Sequence, residues 1–397
     1  MNFIHFDEAK CNLCRECINK CPFQALTMGE KGIEANDACR MCSLCIRTCP
    51  REAIYFEQKA GTVDKSQWKD ILVYAEQENG HIHPVVFELI GEARRLSQNI
   101  GYDVHAVIVG AQGTSANAQK LTDYGVKKVY IYEHKEFEAF KADSFAAAVT
   151  DCIAMLRPSV VLLGATSLGR SLAPRLSTRF HTGLTADCTK LMMRENSDLV
   201  QIRPAFGGNV MAQILITDSR PQFATVRYKV MDAAKPVPGF SGEVVRMKVT
   251  DDLTASRIKV CSVKPLEKKK QIEEEEALVV AGRGVKDEKG LKLLRELAES
   301  LGGQLCFTRP MVEAGYGDTA HQIGLSGRTV KPKLIITCGV SGSIQFASCM
   351  KNSECIVAID VNPDALIFNI AHYCIVDDLY EIVPRFLERI RAQKEEL

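Results

Sequence analysis

The sequence contains no apolar run long enough to cross a membrane. Its candidates, residues 160–164 and 334–336, fall far short of the ~20 residues a helical span requires. It has no excess of either charge: 50 Lys and Arg against 49 Asp and Glu leave a formal net charge of +1. Bulk attraction to nucleic acid or to an acidic membrane surface is thereby excluded, and partners must be recognised by local patches. The first residues hold neither a basic stretch nor a long apolar run, so no targeting segment is visible and a soluble, cytoplasmic protein is expected. A Ser-His-Asp set, a nucleophile elbow and a catalytic carboxylate pair are all missing. His321 and His372 read as structural or exposed residues. Any chemistry is expected to belong to cofactors, with protein groups tuning them.

What the sequence does have is cysteine. There are 16, and eight fall within the first 49 residues in two identical spacings. Cys11-x2-Cys14-x2-Cys17-x3-Cys21-Pro22 recurs as Cys39-x2-Cys42-x2-Cys45-x3-Cys49-Pro50, and the halves end alike in QALT (24–27) and EAIY (52–55). This is a duplicated half-module carrying metal ligands, in a compartment that keeps thiols reduced. Three cysteines at this spacing wrap one [4Fe–4S] cube, and the fourth, before proline, points away to serve the other cube. The expected sets are Cys11, Cys14, Cys17 and Cys49 for one cluster, and Cys39, Cys42, Cys45 and Cys21 for the other. Paired zinc sites fit poorly, because zinc takes four ligands, usually as two separated pairs. A module of this size also needs such staples to fold. The other eight cysteines show no ligand spacing and read as small buried hydrophobes.

From Trp68 to about Pro265, short β-rich runs at 71–75, 104–109, 128–132 and 160–163 alternate with helical periods, as at Phe87, Ile90, Ala93 and Leu96. That alternation predicts a parallel sheet with helices on both faces. Residues 189–203 and 212–227 read as antiparallel additions. The charge run at 267–276 reads as a solvated linker. A second α/β unit follows, with a strand at 277–281 and Asp287 as a helix N-cap. Leu291, Leu294, Leu297, Ala298 and Leu301 form one helical face, which Gly302-Gly303 stops. Strands at 334–337 and 355–360 complete a small doubly wound sheet. The expected domains are a two-cluster ferredoxin-like module (1–62), a Rossmann-like α/β domain (66–265), a charged linker (266–276) and a doubly wound nucleotide-binding domain (277–397).

Two glycine loops point to the nucleotide. Gly282-Arg283-Gly284 follows a strand and opens toward a helix, although Asp287 stands where a third fingerprint glycine would be. Residues 337–345 (TCGVSGSIQ) repeat the arrangement. Small residues there let backbone N–H groups approach a pyrophosphate.

At this point the sequence resembles a family, the alpha subunits of electron transfer flavoproteins. The residues that carry the resemblance are Arg283-Gly284, TRPMVEAGY (308–316), QIGLSGR (322–328), GVSGSIQ (339–345) and IVDDL (375–379), with GATSLGRSLAPR (164–175), GLTAD (183–187) and RPQFATVR (220–227) upstream. The N-terminal extension is similar to that of flavin-based electron-bifurcating complexes, such as those of caffeyl-CoA reductase or an anaerobic lactate dehydrogenase. The layout is nearest to the caffeyl-CoA type.

The resemblance implies one FAD on this chain beside the two clusters. Arg283 would cross the ring or its phosphates, and Thr308, Ser341, Gly342 and Ser343 would hold the pyrophosphate. Arg309 would place positive charge where reduced flavin becomes anionic. Ser326 would face flavin N5, with Gln322, Ile323, Gly324 and Leu325 lining the ring. Ile344 and Gln345 would continue the cradle, and Asp360, Asp378 and Leu379 would lie toward the ribose and adenine. Three departures stand out. Phe346 replaces a histidine donor, Val361 replaces a lysine, and Asp360 replaces an asparagine. They imply weaker stabilisation of anionic flavin, unless another donor compensates.

The implied function is that of an electron-bifurcating subunit coupling NADH oxidation to reduction of an enoyl-CoA and of ferredoxin. The alternative is a non-bifurcating carrier to an acyl-CoA or lactate dehydrogenase. Either way the chain is expected to be an oxidoreductase subunit that by itself only carries electrons. Implied partners are a beta-type subunit with a second FAD and the NADH site, an acyl-CoA dehydrogenase-like reductase and free ferredoxin. The charged linker would let the FAD domain swivel between donor and acceptor.

Overall fold

A computed structural model describes residues 4–29, 32–36, 38–39, 42, 44–56, 63–78, 80–205, 210–264 and 271–395. The chain divides into two compact units, Met1–Thr62 and Val63–Leu397.

In the first unit, β1 (Ile4–Phe6) pairs antiparallel with β4 (Ile54–Phe56), so the start and end of the module close on each other. Between them lie α1 (Glu16–Asn19), the hairpin β2 (Leu26–Gly29) and β3 (Gly32–Ala35), and α2 (Leu44–Thr48). The sequence repeat is also a backbone repeat. Gln24 and Glu52 occupy equivalent positions and both take φ of 49°. The core is slight: Ile4, Leu26, Ile33 and Ile54 pack around the buried Cys17 and Cys45.

The second unit holds two parallel sheets. The strands of the first are β5 (Ile71–Tyr74), β6 (Val104–Gly110), β7 (Lys128–Glu133), β8 (Val160–Gly164), β9 (Leu184–Cys188), β13 (Gln222–Val226) and β14 (Glu243–Arg246). They lie in the order β9-β13-β8-β5-β6-β7-β14, every neighbouring pair parallel. The helices α3 (Val85–Ser97), α4 (Thr114–Thr122), α5 (Ala142–Leu156) and α6 (Ser167–Arg179) are interleaved with them, and the sheet is covered by an apolar cluster on each face. Its inner strands β5, β6, β8 and β13 are buried along their whole length, as a sheet sandwiched by helices requires, while the edge strands β9 and β14 are partly exposed.

Strands β10 (Lys190–Met193), β11 (Leu199–Ala205) and β12 (Val210–Ile214) form a separate antiparallel sheet. The expected antiparallel region 212–227 therefore divides. Its first residues pair antiparallel, but β13 sits inside the parallel sheet between β8 and β9. Its hydrophobic FATV run serves a strand buried on both faces, and such a run does not reveal its own direction.

The second sheet contains β15 (Ala277–Ala281), β16 (Gln304–Phe307), β17 (Leu334–Cys338), β18 (Cys355–Asp360) and β19 (Tyr373–Val376), all parallel, in the order β16-β15-β17-β18-β19. Helices α7 (Glu288–Ser300), α8 (Arg309–Glu313), α9 (Ile344–Ala347) and α10 (Leu379–Glu395) complete it. Asp287 caps α7 by accepting from Gly290 N–H at 2.8 Å, and Leu291, Leu294 and Leu297 turn inward onto the sheet. Burying such a leucine contributes roughly 1.5–3 kcal/mol.

The charge run read as a solvated linker needs correcting. Residues 265–270 lie outside the described residues, but 271–276 are packed. Ile272 is 2% exposed and belongs to the core. Glu273 is buried against Arg328 at 2.9 Å, and Gln304 donates to Glu275 at 2.6 Å. Arg328 neutralises one carboxylate and Gln304 hydrogen-bonds another, both partners distant in sequence for groups that composition alone would assign to solvent.

Candidate functional site

The strand order of the second sheet has the form 2-1-3-4-5, in which ligands bind at the carboxyl ends where the order reverses. Here the reversal falls between β15 and β17, and both predicted glycine loops leave from those ends. They meet backbone to backbone: Gly284 N–H donates to Gly339 O at 3.0 Å, and a Cβ on Gly339 would lie 2.7 Å from Gly284 Cα. Thr308, at the end of the neighbouring β16, donates its N–H to Ala281 O. Three strand ends thus converge on one crevice.

Two features make that crevice fit a pyrophosphate. The Thr308 side-chain hydroxyl is buried with no hydrogen-bond partner. Among the described residues, no protein acceptor takes the N–H groups of Ser341, Gly342 and Ser343. Gly342 has φ of 81°, and a Cβ there would meet Ile367 N at 2.1 Å, so only glycine allows this turn. Free amides beside a free hydroxyl are what an anionic phosphate needs.

The other predicted residues fall into three groups. Gln322 and Ile323 are buried, and Gln322 donates to the Ser326 hydroxyl at 2.8 Å. Leu325 N–H donates to Gln345 O at 3.1 Å, while Gly324 bonds Arg328 O. The 322–328 loop and the 337–345 loop are therefore joined. Arg283 and Arg309 are exposed, Arg309 lying against Glu313 at 2.8 Å, and Ile344 is also exposed. The third group does structural work: Phe346 is 4% exposed in the apolar core, and Leu379 is buried in the cluster under α10. Asp378 accepts from Tyr380 N–H at 3.0 Å, capping α10, and Asp360 accepts from Asn362 N–H at 2.9 Å in a turn.

One residue that sequence reasoning left out of the site belongs beside it. Arg227 follows β13 and reaches from the first sheet to the second. It donates to Leu325 O at 3.0 Å, pairs with Asp187 at 3.3 Å, and lies 3.8 Å from the Cys349 thiol. Only its place at the end of the 220–227 motif signalled it. Nearby, an open cleft of about 1140 Å³ runs past residues 327–329 rather than over the two glycine loops. Glu76, Thr166, Arg170, Arg227, Tyr228 and Arg328 are among its lining residues. Burial raises the Glu76 carboxyl to about 6, partly offset by the hydroxyl of Thr166 at 2.5 Å.

In the first unit, Cys21, Cys39, Cys42 and Cys45 line one small cavity. Burial, with Cys14 and Cys49 close enough to add to it, pushes the Cys17 thiol up to about 11. Burial likewise raises Cys45, with Cys39 and Cys42 adding to the effect. Each half therefore brings the other half's fourth cysteine to its own three. Cys11 packs at the edge of the same core. Ala25 N–H donates to Cys21 Sγ, and Ala53 N–H to Cys49 Sγ, each at 3.4 Å. Such donors stabilise thiolate and tune a cluster bound to it. The donor set is soft, fourfold and paired, and it fits two [4Fe–4S] clusters.

A fold of this kind, with eight thiols in one unit and an amide-lined crevice in the other, defines an iron–sulfur flavoprotein. Comparison with known families agrees. Residues 3–26 and 36–57 each match a 4Fe-4S binding domain, 71–252 match the electron transfer flavoprotein domain, and 271–351 match the electron transfer flavoprotein FAD-binding domain. The chain is 48% identical to the lactate dehydrogenase (NAD(+),ferredoxin) subunit LctC of Acetobacterium woodii, over 94% of this chain and 89% of that one. It is 41% identical to the electron transfer flavoprotein subunit alpha of Thermoanaerobacterium thermosaccharolyticum, over 83% of this chain and all of the relative. To that of Megasphaera elsdenii it is 39% identical, over 84% and 99%. The chain belongs to the electron transfer flavoprotein alpha-subunit family, with an N-terminal two-cluster module. No helix among the described residues is long and apolar enough to cross a membrane.

Proposed function

We propose that this chain is the electron-relaying subunit of a bifurcating complex that links NAD(H), ferredoxin and a dehydrogenase partner. The observation that carries the proposal is the presence of two kinds of cofactor site on one chain, an eight-thiol module and an amide-lined flavin crevice. When bound, flavin takes up electron pairs and releases electrons singly, and the clusters pass them one at a time.

The residues have distinct tasks. Cys11, Cys14, Cys17 and Cys49 hold one cluster, and Cys39, Cys42, Cys45 and Cys21 the other. Ser341, Gly342 and Ser343 would bind the pyrophosphate through their N–H groups and Thr308 through its hydroxyl, with Arg283 adding positive charge. Gln322 donates to the Ser326 hydroxyl and would hold it for the ring, which Ile323, Gly324 and Leu325 would line. Ile344 and Gln345 continue the cradle, and Phe346 backs it as an apolar wall. Arg309 supplies positive charge. One Asp378 oxygen caps α10, and the other remains free for the nucleotide, as does part of Asp360. Leu379 packs beneath. A beta-type subunit brings the second FAD and the NADH site.

The name of the Acetobacterium relative, a lactate dehydrogenase subunit, supports a lactate dehydrogenase-type partner. The enoyl-CoA acceptor expected from the layout has no support among the relatives described above. The test uses the anaerobically purified complex with lactate and NAD+. NAD+ reduction is expected only when reduced ferredoxin is also supplied. Lactate-driven NAD+ reduction without ferredoxin would identify a simple carrier. Replacing lactate by an enoyl-CoA, with NADH and oxidised ferredoxin, tests the other acceptor.

A further inference from the structure

Among the described residues, each apolar cluster of the second unit draws on one of its two large sheets alone. Polar side chains bridge those sheets instead. Lys331 reaches Asp232 at 2.7 Å, but that carboxylate is 93% exposed, and such pairs contribute little. Arg227 is different, because its side chain is only 14% exposed. It is also built into the first sheet. Asp187, in β9, accepts from it at 3.3 Å and is itself held by two Arg170 donors at 3.0 and 3.1 Å. The Asp187 N–H donates to the Thr225 hydroxyl at 2.9 Å, which fixes the carboxylate's backbone. From this anchor Arg227 Nη2 donates to Leu325 O at 3.0 Å, while its Nε–H is buried with no acceptor. A buried charged donor left unmade is a cost, and such costs collect at functional sites.

The far end of this bond is the 322–328 loop. Gly327 N–H donates to Gly324 O at 2.9 Å and Arg328 N–H to Gln322 O at 2.7 Å, so the loop closes on itself. Leu325 is held from outside the loop on both of its peptides. Its N–H lies on Gln345 O at 3.1 Å, and its carbonyl takes the guanidinium. That carbonyl belongs to the peptide leading into Ser326, whose hydroxyl Gln322 holds from the other side at 2.8 Å. Because a peptide is planar, anchoring its oxygen fixes the direction in which the chain enters Ser326.

Resting on the function proposed above, we infer that Arg227 is a positioning residue for the flavin loop. Anchored on the first sheet by Asp187, it fixes the Leu325–Ser326 peptide and so holds the Ser326 hydroxyl in place for the flavin ring. The first sheet thereby takes part in setting how readily this chain's FAD accepts electrons.

The test titrates the anaerobically purified holo-complex against a redox dye while flavin absorbance is followed. Arg227→Met leaves Asp187 paired with Arg170, so it orphans no carboxylate. It should lower the equilibrium constant for reducing one of the complex's flavins about tenfold, the scale of one hydrogen bond to a charged group. FAD and iron content should stay unchanged. Asp187→Asn separates position from charge. It removes a negative charge and keeps the guanidinium, and asparagine tolerates the φ of 59° found there. Positioning predicts harder reduction in this variant too. A guanidinium acting only as a charge predicts easier reduction, and that result overturns the proposal. Amide exchange within 322–328 should quicken in both variants, while β6 keeps its protection. Lys331→Met, which cuts the other bridge, should shift the constant less than twofold. A shift equal to that of Arg227→Met would assign the effect to docking of the two sheets and would also overturn the proposal. If the Arg227→Met complex does not assemble, Asp187→Asn decides by the sign of its shift. Absence of FAD from the unmodified chain would remove the function proposed above. Normal FAD content with an unmoved constant in both variants would remove only this role of Arg227.

Discussion

The cysteine module and the five-stranded nucleotide sheet are each small, yet they are held together by different means. In the sheet, strand residues such as Val279, Phe307, Ile336 and Ile359, with 0–6% exposure, pack against α7 and α10 through a continuous leucine-rich cluster. In the module, four isoleucine and leucine side chains surround thiols. A core of that size supplies at most about 3–5 kcal/mol, which does not offset the ordering of the chain. The comparison teaches that in one region the ligand is an addition to a finished fold, and in the other it is part of the core.

The largest effect is therefore expected from removing a ligand. Cys45→Ser should release iron and acid-labile sulfide and make residues 1–62 protease-sensitive, while flavin content is unchanged. A module that stays protease-resistant without iron would break the comparison. Next is a charge pair in the larger sheet's region, where Arg220 is fully buried 2.7 Å from Asp198. Arg220→Met should cost about 3 kcal/mol in denaturant unfolding of the second unit and leave iron content untouched. The loss is at the lower end for broken buried pairs, because Lys65 still holds Asp198 at 2.8 Å.

A pH effect of similar origin should follow Glu88. Burial raises its carboxyl from 4.5 to about 7, although the N–H groups of Lys229 and Met231 donate to it. The folded state keeps this proton where the unfolded chain has lost it. Its contribution is therefore complete below pH 4.5 and declines as pH rises through about 7. Glu88→Gln should remove about 2–3 kcal/mol of that decline, read as the denaturant midpoint across this window. The smallest effect is expected at the crevice itself. Thr308→Val should weaken FAD binding about tenfold without lowering the stability of flavin-free protein, because its buried hydroxyl has no protein partner to lose. A stability loss equal to the affinity loss would mean that the hydroxyl serves the fold.

Legibility followed the range of the interactions. Strands 104–109 and 128–132 were placed within a residue of β6 and β7, and the α7 face and its Asp287 cap were readable, because each depends on neighbours a few positions away. The direction of β13 was not readable, because its partners are β8 and β9. The packing of Glu273 was equally hidden, since Arg328 lies 55 positions on. Phe346 was noticed as a missing donor. That it fills the core, and that Asp378 is occupied with capping, required the surrounding elements.

Spacing alone determined the presence of two clusters, since thiols two and three residues apart can close on a metal cube wherever the chain lies. Sequence also marked both glycine loops, because only glycine tolerates their backbone. Tertiary structure decided that the loops touch and that Arg227 joins the two sheets at Leu325. Those outcomes depend on which strand ends and helix faces meet. Contacts between residues tens of positions apart are set by the packing of whole elements, not by any local pattern.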